Sequence, residues 1–174
     1  NLMLASAVDA GQKMPRSVVR RQLSRLGSSI GSATTNDYSV VSLASTRENF
    51  DRVWEIFTEV MLSPAFAEPD VNLNRERILT GLREAGTSPE SALQTMQNHI
   101  LYAGHPYGNE VSGTVANISR FTAAELPEYH KRIMETSRLL FVFVGDLNPD
   151  QLKAKIAATF GKLPRGDYKE TALP

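Results

Sequence analysis

Apolar residues recur at helical spacing along much of the chain. The strongest stripe follows a Ser45–Glu48 pair with capping-box spacing, and it ends before Pro64, which cannot continue a helix. Its members are Phe50, Val53, Trp54, Phe57, Val60 and Met61. Residues three and four positions apart share one helix face, so this stripe predicts a helix with a wide buried face.

Weaker stripes predict five further helices with one buried face each, in addition to one at the start of the chain. The first two run over 15–26 and 70–85. A third is opened by Ser88 and Pro89 and has Leu93, Met96 and Ile100 inward. A fourth follows a Thr122–Glu125 capping box and has Leu126, Tyr129 and Ile133 inward. Another stripe follows Asn148, with Leu152, Ile156 and Phe160 inward. Helices therefore make up most of the predicted structure.

Two stretches have the composition of β-strands. Residues 28–45, "SSIGSATTNDYSVVSLAS", are rich in Ser, Thr and Val and are interrupted by Asn36 and Asp37, which predicts a hairpin. Residues 138–146, "RLLFVFVGD", are almost wholly apolar, which predicts a central strand over 138–145 buried on both faces. The pattern indicates an α+β fold with helices packed on a mostly antiparallel sheet. Since a central strand needs neighbours on both sides, we expect further strands from upstream or from another chain.

The first eleven residues, "NLMLASAVDAG", lack an initiator Met, a polar lead-in and a helix cap. Leu2, Leu4 and Val8 predict the end of an apolar helix that Gly11 stops. We therefore expect the true N-terminus to lie upstream of this helix.

Composition excludes several functional classes. Lys plus Arg and Asp plus Glu each number 19, so the formal net charge is zero and no overall field attracts nucleic acid. The basic run of Arg16, Arg20, Arg21 and Arg25 is interpreted as a solvated helix face. The chain has no Cys, which excludes thiolate catalysis and Cys-ligated zinc. No apolar run approaches the roughly 18 residues that span a bilayer, so we expect a soluble chain of the cytoplasm or the periplasm.

Three histidines are the candidates for metal or proton chemistry, and no two of them stand at i, i+4. His99 is interpreted as an imidazole packed beside the apolar stripe of its helix. His105 lies in a Gly-rich loop, where bonding to backbone groups is expected. His130 stands among charged residues and is expected to be solvated. Neither a G-x-S-x-G elbow nor a P-loop is present.

Several ordered motifs resemble the pitrilysin/insulinase (mitochondrial processing peptidase-like) family of zinc peptidases. They are "HPYGNEVSGTVANISRF", "VGDLNPDQL" and "FGKLP", with "RSVVRRQLSRLGSSIGSATTND" and "MLSPAFAEPDVNLNRERIL" upstream. The resemblance implies a metallopeptidase-like lobe that lacks its N-terminal strands. Residues 1–174 then form a single incomplete lobe, with a zinc-motif-equivalent half over 1–104. The C-terminal half, 105–174, contains the strand over 138–145 and the final helix.

The family's zinc site needs His-x-x-Glu-His on a helix and a later Glu. Aligning Gly11 with the Gly that follows this motif places Leu2 and Ser6 at the two His positions and Ala5 at the general base. None of these side chains can bind zinc or activate water. The third ligand falls near Glu84, a weak candidate, but ungapped matching places Arg83 there. The resemblance therefore implies no catalytic residue and no bound zinc in this chain, although active members use zinc.

The degenerate motif leads to a first hypothesis, a non-catalytic lobe inactive on its own. It pairs with an active lobe or subunit, in a homo- or heterodimer, and encloses peptide substrates for proteolysis. The edge of the hairpin or of the central strand would add β-contacts to the peptide.

Two alternatives remain open on the sequence. One is an active zinc metalloendopeptidase whose ligands lie outside this chain or are misaligned, with His99 or His105 acting beside Glu84 or Glu110. The other is a purely structural assembly subunit, as in family members of respiratory complexes.

Overall fold

The computed structural model describes residues 1–169, and within them helices surround a small antiparallel sheet. The helices are α1 (Leu2–Ala7), α2 (Arg16–Arg25), α3 (Phe50–Leu62), α4 (Glu68–Thr87), α5 (Pro89–Leu101), α6 (Val115–Arg120), α7 (Leu126–Ile133) and α8 (Pro149–Ala158). The strands are β1 (Ser29–Thr34) and β2 (Ser39–Ala44). They form an antiparallel hairpin in which Ile30 lies opposite Leu43. The predicted α+β class and the hairpin are confirmed.

The main core is built around α3, as its stripe predicts. Val53, Ile56 and Val60 have no exposed surface. Trp54 contributes aromatic contacts, with its ring centroid 5.5 Å from that of Phe57. The helix begins at Phe50 rather than behind a Ser45–Glu48 capping box, which is not formed. Asn49 precedes it, and its side-chain amide donates to the carbonyl of Leu26 at 3.0 Å, so this residue joins α3 to the end of α2.

A second apolar cluster buries α1. Its buried members are Met3, Leu4, Ala7, Phe66, Val71 and Leu126. They come from α1, the turn before α4, α4 itself and α7. The short helix α1 is therefore fixed by neighbours distant in sequence, because a helix of so few residues is not stable by itself.

The predicted central strand over 138–145 is not formed within residues 1–169. Leu139, Phe141 and Phe143 pack against the main core, whereas the alternate residues Leu140, Val142 and Val144 are exposed by 88%, 76% and 94%. Residues 140–144 make no backbone–backbone hydrogen bond to any described residue. The segment is buried on one side only, because the described part of the chain places no strand beside it. An apolar run predicted the extended backbone but overestimated its burial.

The predicted burial of the apolar stripe on α5 is also wrong. Its stripe of Leu93, Met96 and Ile100 is exposed by 57%, 62% and 65%, and the helix has no buried residue. Helical spacing identified the helix and its apolar face. The spacing does not say whether another element covers that face.

The predicted Thr122–Glu125 pair is found where α7 begins, and it supports a testable prediction. The backbone N–H and the hydroxyl of Thr122 both donate to Glu125 Oε2, at 2.7 Å and 2.8 Å. These bonds hold the pKa of the Glu125 carboxyl below its usual range. Thr122→Ala is expected to lower the free energy of unfolding in urea denaturation by more than an exposed control, because it removes the hydroxyl that donates to Glu125. Thr95→Ala, on the exposed face of α5, is the control and should change it by less than about 0.5 kcal/mol. Equal losses in both variants would contradict a capping role.

Candidate functional site

Residues 2–6, which the sequence singles out for the family's zinc motif, lie on α1. Leu2 and Ser6 are buried and Ala5 is half-buried. None of the three side chains carries an imidazole or a carboxylate. Gly11 follows the helix, and a Cβ added there would lie 2.4 Å from Glu59 Cγ, so a side chain at this position is excluded unless Glu59 moves.

Asn74 of α4 faces α1 and joins the two helices. Its side-chain amide lies 2.8 Å from Asp9 Oδ2, 3.3 Å from the carbonyl of Ala5 and 3.4 Å from the hydroxyl of Ser6. Asn74 is buried, and a buried amide needs such partners to offset the loss of water. The contact therefore fixes the register of α4 against the end of α1.

Arg16 extends this polar contact to α2. Its Nη2 lies 3.2 Å from Asp9 Oδ2 and its Nη1 lies 3.6 Å from Asp70 Oδ1. Nη2 makes no aligned hydrogen bond among the described residues, so its contact with Asp9 is an ion pair. Arg20 adds a further ion pair to Asp9 at 3.6 Å. We call the set of Ser6, Asp9, Arg16, Asp70 and Asn74 the α1–α4 polar junction.

The interpretation of the basic run as a solvated face is wrong for Arg16, which is buried, and holds for Arg21 and Arg25, which are exposed. One signal could have identified Arg16. It is the first residue of α2, where the helix dipole disfavours a cation. A carboxylate partner compensates for that position.

The junction has the wrong chemistry for a divalent cation. Asp9 is its central carboxylate, and its oxygens face two guanidinium groups and an amide N–H. Zinc sites use imidazole, thiolate and carboxylate ligands, and a neighbouring Arg repels the ion. Glu84 and Arg83 are both exposed near the end of α4. Across residues 1–169, no three His, Asp or Glu side chains group so as to hold a metal.

The three histidines lie in different environments. His99 is exposed on α5, so its interpretation as a packed imidazole is wrong. His105 shapes its loop as predicted, since its Nδ1 accepts from the backbone N–H of Tyr107 at 3.1 Å. His130 is buried, because α7 turns this residue toward the end of α3, so the predicted solvated position is wrong.

A polar contact that sequence reasoning missed ties the His105 loop to the hairpin. The hydroxyl of Tyr107 donates to Asp37, and the side-chain amide of Asn36 lies 3.4 Å from the carbonyl of Tyr107. Asp37 raises the pKa of the Tyr107 hydroxyl above its ordinary value. The partners lie some 70 residues apart in sequence, so no local pattern indicates the contact.

Comparison with known proteins defines the class. Residues 7–115 match the family model "Insulinase (Peptidase family M16)", and residues 120–174 match the model "Peptidase M16 inactive domain". The chain belongs to the insulinase family of peptidases, M16. The predicted resemblance is thereby confirmed.

Relatives and solved structures agree with this assignment. An uncharacterized zinc protease of Mycobacterium leprae is 24% identical over 157 residues, covering 90% of this chain and 35% of the relative. Cytochrome b-c1 complex subunit 1, mitochondrial, of Bos taurus is 21% identical over 160 residues, covering 92% and 33%. The crystal structure of the peptidase M16 inactive domain from Pseudomonas fluorescens superposes with a TM-score of 0.88 at 22% identity, covering 98% of this chain and 42% of that one.

Three further findings concern the length of the relatives, their metal and membrane-spanning helices. The chain spans about a third of the length of the curated relatives it matches. The mycobacterial relative is named a zinc protease. Within residues 1–169, no helix is long and apolar enough to cross a membrane.

Proposed function

We propose that this chain is a non-catalytic M16-type lobe that pairs with an active lobe or subunit and helps to enclose a peptide for proteolysis. The observation that carries the proposal is the chemistry of α1. Matching Gly11 to the Gly that follows the family motif predicts two imidazoles and a carboxylate at Leu2, Ala5 and Ser6, where the chain has an aliphatic side chain, a methyl group and a hydroxyl. The match of residues 120–174 to the inactive-domain model supports the same conclusion.

The surroundings of α1 support the loss of metal as well. The guanidinium of Arg16 and the amide of Asn74 occupy the polar side of the helix. A zinc ion there would be brought beside a positive charge with little solvent to screen it. The polar groups of the junction are instead satisfied by one another.

The size of the relatives supports pairing. Each curated relative is more than twice as long as the matched segment, and one is a subunit of the cytochrome b-c1 complex. A lobe of this kind is therefore found next to further chain or further subunits. The exposed apolar side of residues 140–144 and the apolar stripe of α5 are surfaces that such a neighbour would cover.

A second candidate function is that of a structural assembly subunit without peptide contact. The similarity to the cytochrome b-c1 subunit favours it. The active-metallopeptidase alternative finds no support among the described residues, where His99 and Glu84 are exposed and join no metal-ligand group.

The first test measures zinc content and peptide cleavage by the purified chain. We expect no stoichiometric zinc and no chelator-sensitive cleavage, with an M16 peptidase carrying an intact His-x-x-Glu-His motif as the positive control. Stoichiometric zinc together with unaided, chelator-sensitive cleavage would overturn the proposal.

The second test separates the two candidate functions. The chain is mixed with an M16 subunit that carries the intact motif, and a photoreactive extended peptide is added. Crosslinking of the peptide to this chain, with faster cleavage in the mixture, is expected of an enclosing lobe. Association without any crosslink to this chain would instead support the structural subunit.

A further inference from the structure

His130 joins α7 to the end of α3. Its Nε2 lies 2.9 Å from the carbonyl oxygen of Met61, in the last turn of α3. That carbonyl is one of the last four of the helix, which have no partner inside it. The ring is 8% exposed and packs edge-on against Phe66, with the centroids 5.7 Å apart. Since a carbonyl can only accept, Nε2 carries the hydrogen and the imidazole caps α3.

The same contact holds two neighbours of α1 in place. Phe66 is the one non-glycine residue of the described chain with positive φ, at 45°, a conformation that side chains disfavour. Leu126, one turn before His130 on α7, and Phe66 both cover Met3, Leu4 and Ala7 of α1. Detaching α7 from α3 would therefore uncover the apolar side of α1.

Among the described residues, no acidic side chain pairs with the His130 ring to stabilise a positive charge on it. Neither α1 nor the turn over 63–67 contains an ionisable side chain. The charged residues of α7 itself, Glu128, Lys131 and Arg132, are exposed. Those of α3 are engaged elsewhere: Asp51 with Lys155, Arg52 with Glu55, and Glu59 with the backbone N–H of Lys13. A proton on the second ring nitrogen would add a buried charge without a counter-ion.

We propose that His130 is an acid-sensitive clasp whose protonation releases α7 from α3 and exposes the apolar side of α1. The direction follows from linkage. Burial lowers the pKa of folded His130, and this outweighs the bond to Met61, which raises it. The open form therefore binds a proton first as the pH falls. The clasp contributes its full stability above about pH 6.5 and loses it as the pH falls through the pKa of the folded ring, and the open population rises over that interval.

Hydrogen exchange on the full chain tests the clasp between about pH 7.5 and about pH 5, with correction for the intrinsic exchange rate. We expect protection of residues 126–134 in the wild type to fall severalfold as the pH drops below about 6.5, ahead of α2 and the hairpin. His130→Gln keeps an N–H donor toward Met61 but cannot titrate, so its protection should be independent of pH in this range. His99→Gln, at an exposed site on α5, should follow the wild type.

Two results would overturn the proposal. One is a pH dependence that His130→Gln retains; the other is loss of protection in 126–134 only together with the rest of the chain. Should His130→Gln fail to fold, ring-proton NMR of the wild type decides instead. A His130 ring that remains neutral well below pH 6.5 supports the clasp, and one that titrates at or above about pH 6.5 contradicts it.

Discussion

Arg16→Met is expected to lower the free energy of unfolding by about 3 kcal/mol. The Arg16 side chain is 10% exposed, and its partners Asp9 and Asp70 are 16% and 26% exposed, so the pairs are only partly screened by water. Met keeps much of the side-chain volume but removes the cation, which leaves Asp70 without this cation and Asp9 with Arg20 and the Asn74 amide. Urea denaturation followed by the fluorescence of Trp54, the one Trp of the chain, gives the value.

A matched control lies on the same helix. Arg21 is exposed, so Arg21→Met should change the free energy of unfolding by less than about 0.5 kcal/mol. Asp70→Asn in the Arg16→Met background should cost less than in the wild type, because the two groups are coupled. Additive losses in this double-mutant cycle, or equal losses at Arg16 and Arg21, would show that the ion pair does not stabilise the fold.

The second large effect is expected at Trp54, at the centre of the main core. Its ring lies 6.0 Å from that of Phe50, 6.0 Å from that of Phe143 and 5.8 Å from that of Phe160, measured between centroids. Trp54→Ala should lower the free energy of unfolding by about 4 kcal/mol, through lost contacts and the cavity left behind. Since the fluorophore is removed, far-UV circular dichroism in urea provides the measurement.

Trp54→Phe is the informative comparison. The indole N–H of Trp54 is buried and has no hydrogen-bond partner among the described residues. Phe removes this unpaired donor while keeping an aromatic ring, so we expect a loss below about 1.5 kcal/mol. A loss as large as that of Trp54→Ala would mean that the N–H does have a stabilising partner, or that the ring shape itself is indispensable.

Local sequence patterns predicted the helices and the hairpin of this fold better than they predicted which of their faces are buried. The α3 stripe and the turn at Asn36 and Asp37 are short-range signals, and both gave the observed helix and hairpin. Periodicity reports which residues share a face, and for α5 that information was correct, whereas the apolar run over 138–145 wrongly predicted a strand buried on both faces. Coverage depends on what packs against the face, which is decided by residues distant in sequence.

The burial of two polar residues, Arg16 and His130, could not be predicted from local patterns either. Arg16 lies in a basic run and His130 in a charged helix, so composition favoured solvent for both residues. Their burial comes from Asp70 on α4 and from the end of α3, 54 and 69 residues away in sequence. The fixed spacing of a family motif predicts where its positions would fall on α1. The polar junction beside α1 could not be predicted, since Asn74 and Asp9 belong to no motif.

The α1–α4 polar junction also affects how the chain reaches its folded form. Two helices held through a shared metal ion depend on the supply of that ion, and a chelator can separate them. Here the amide of Asn74 and the guanidinium of Arg16 make the connection, and both groups are side chains of the protein itself. We therefore expect this junction to form without a metal-loading step, and a chelator to leave the unfolding curve unchanged.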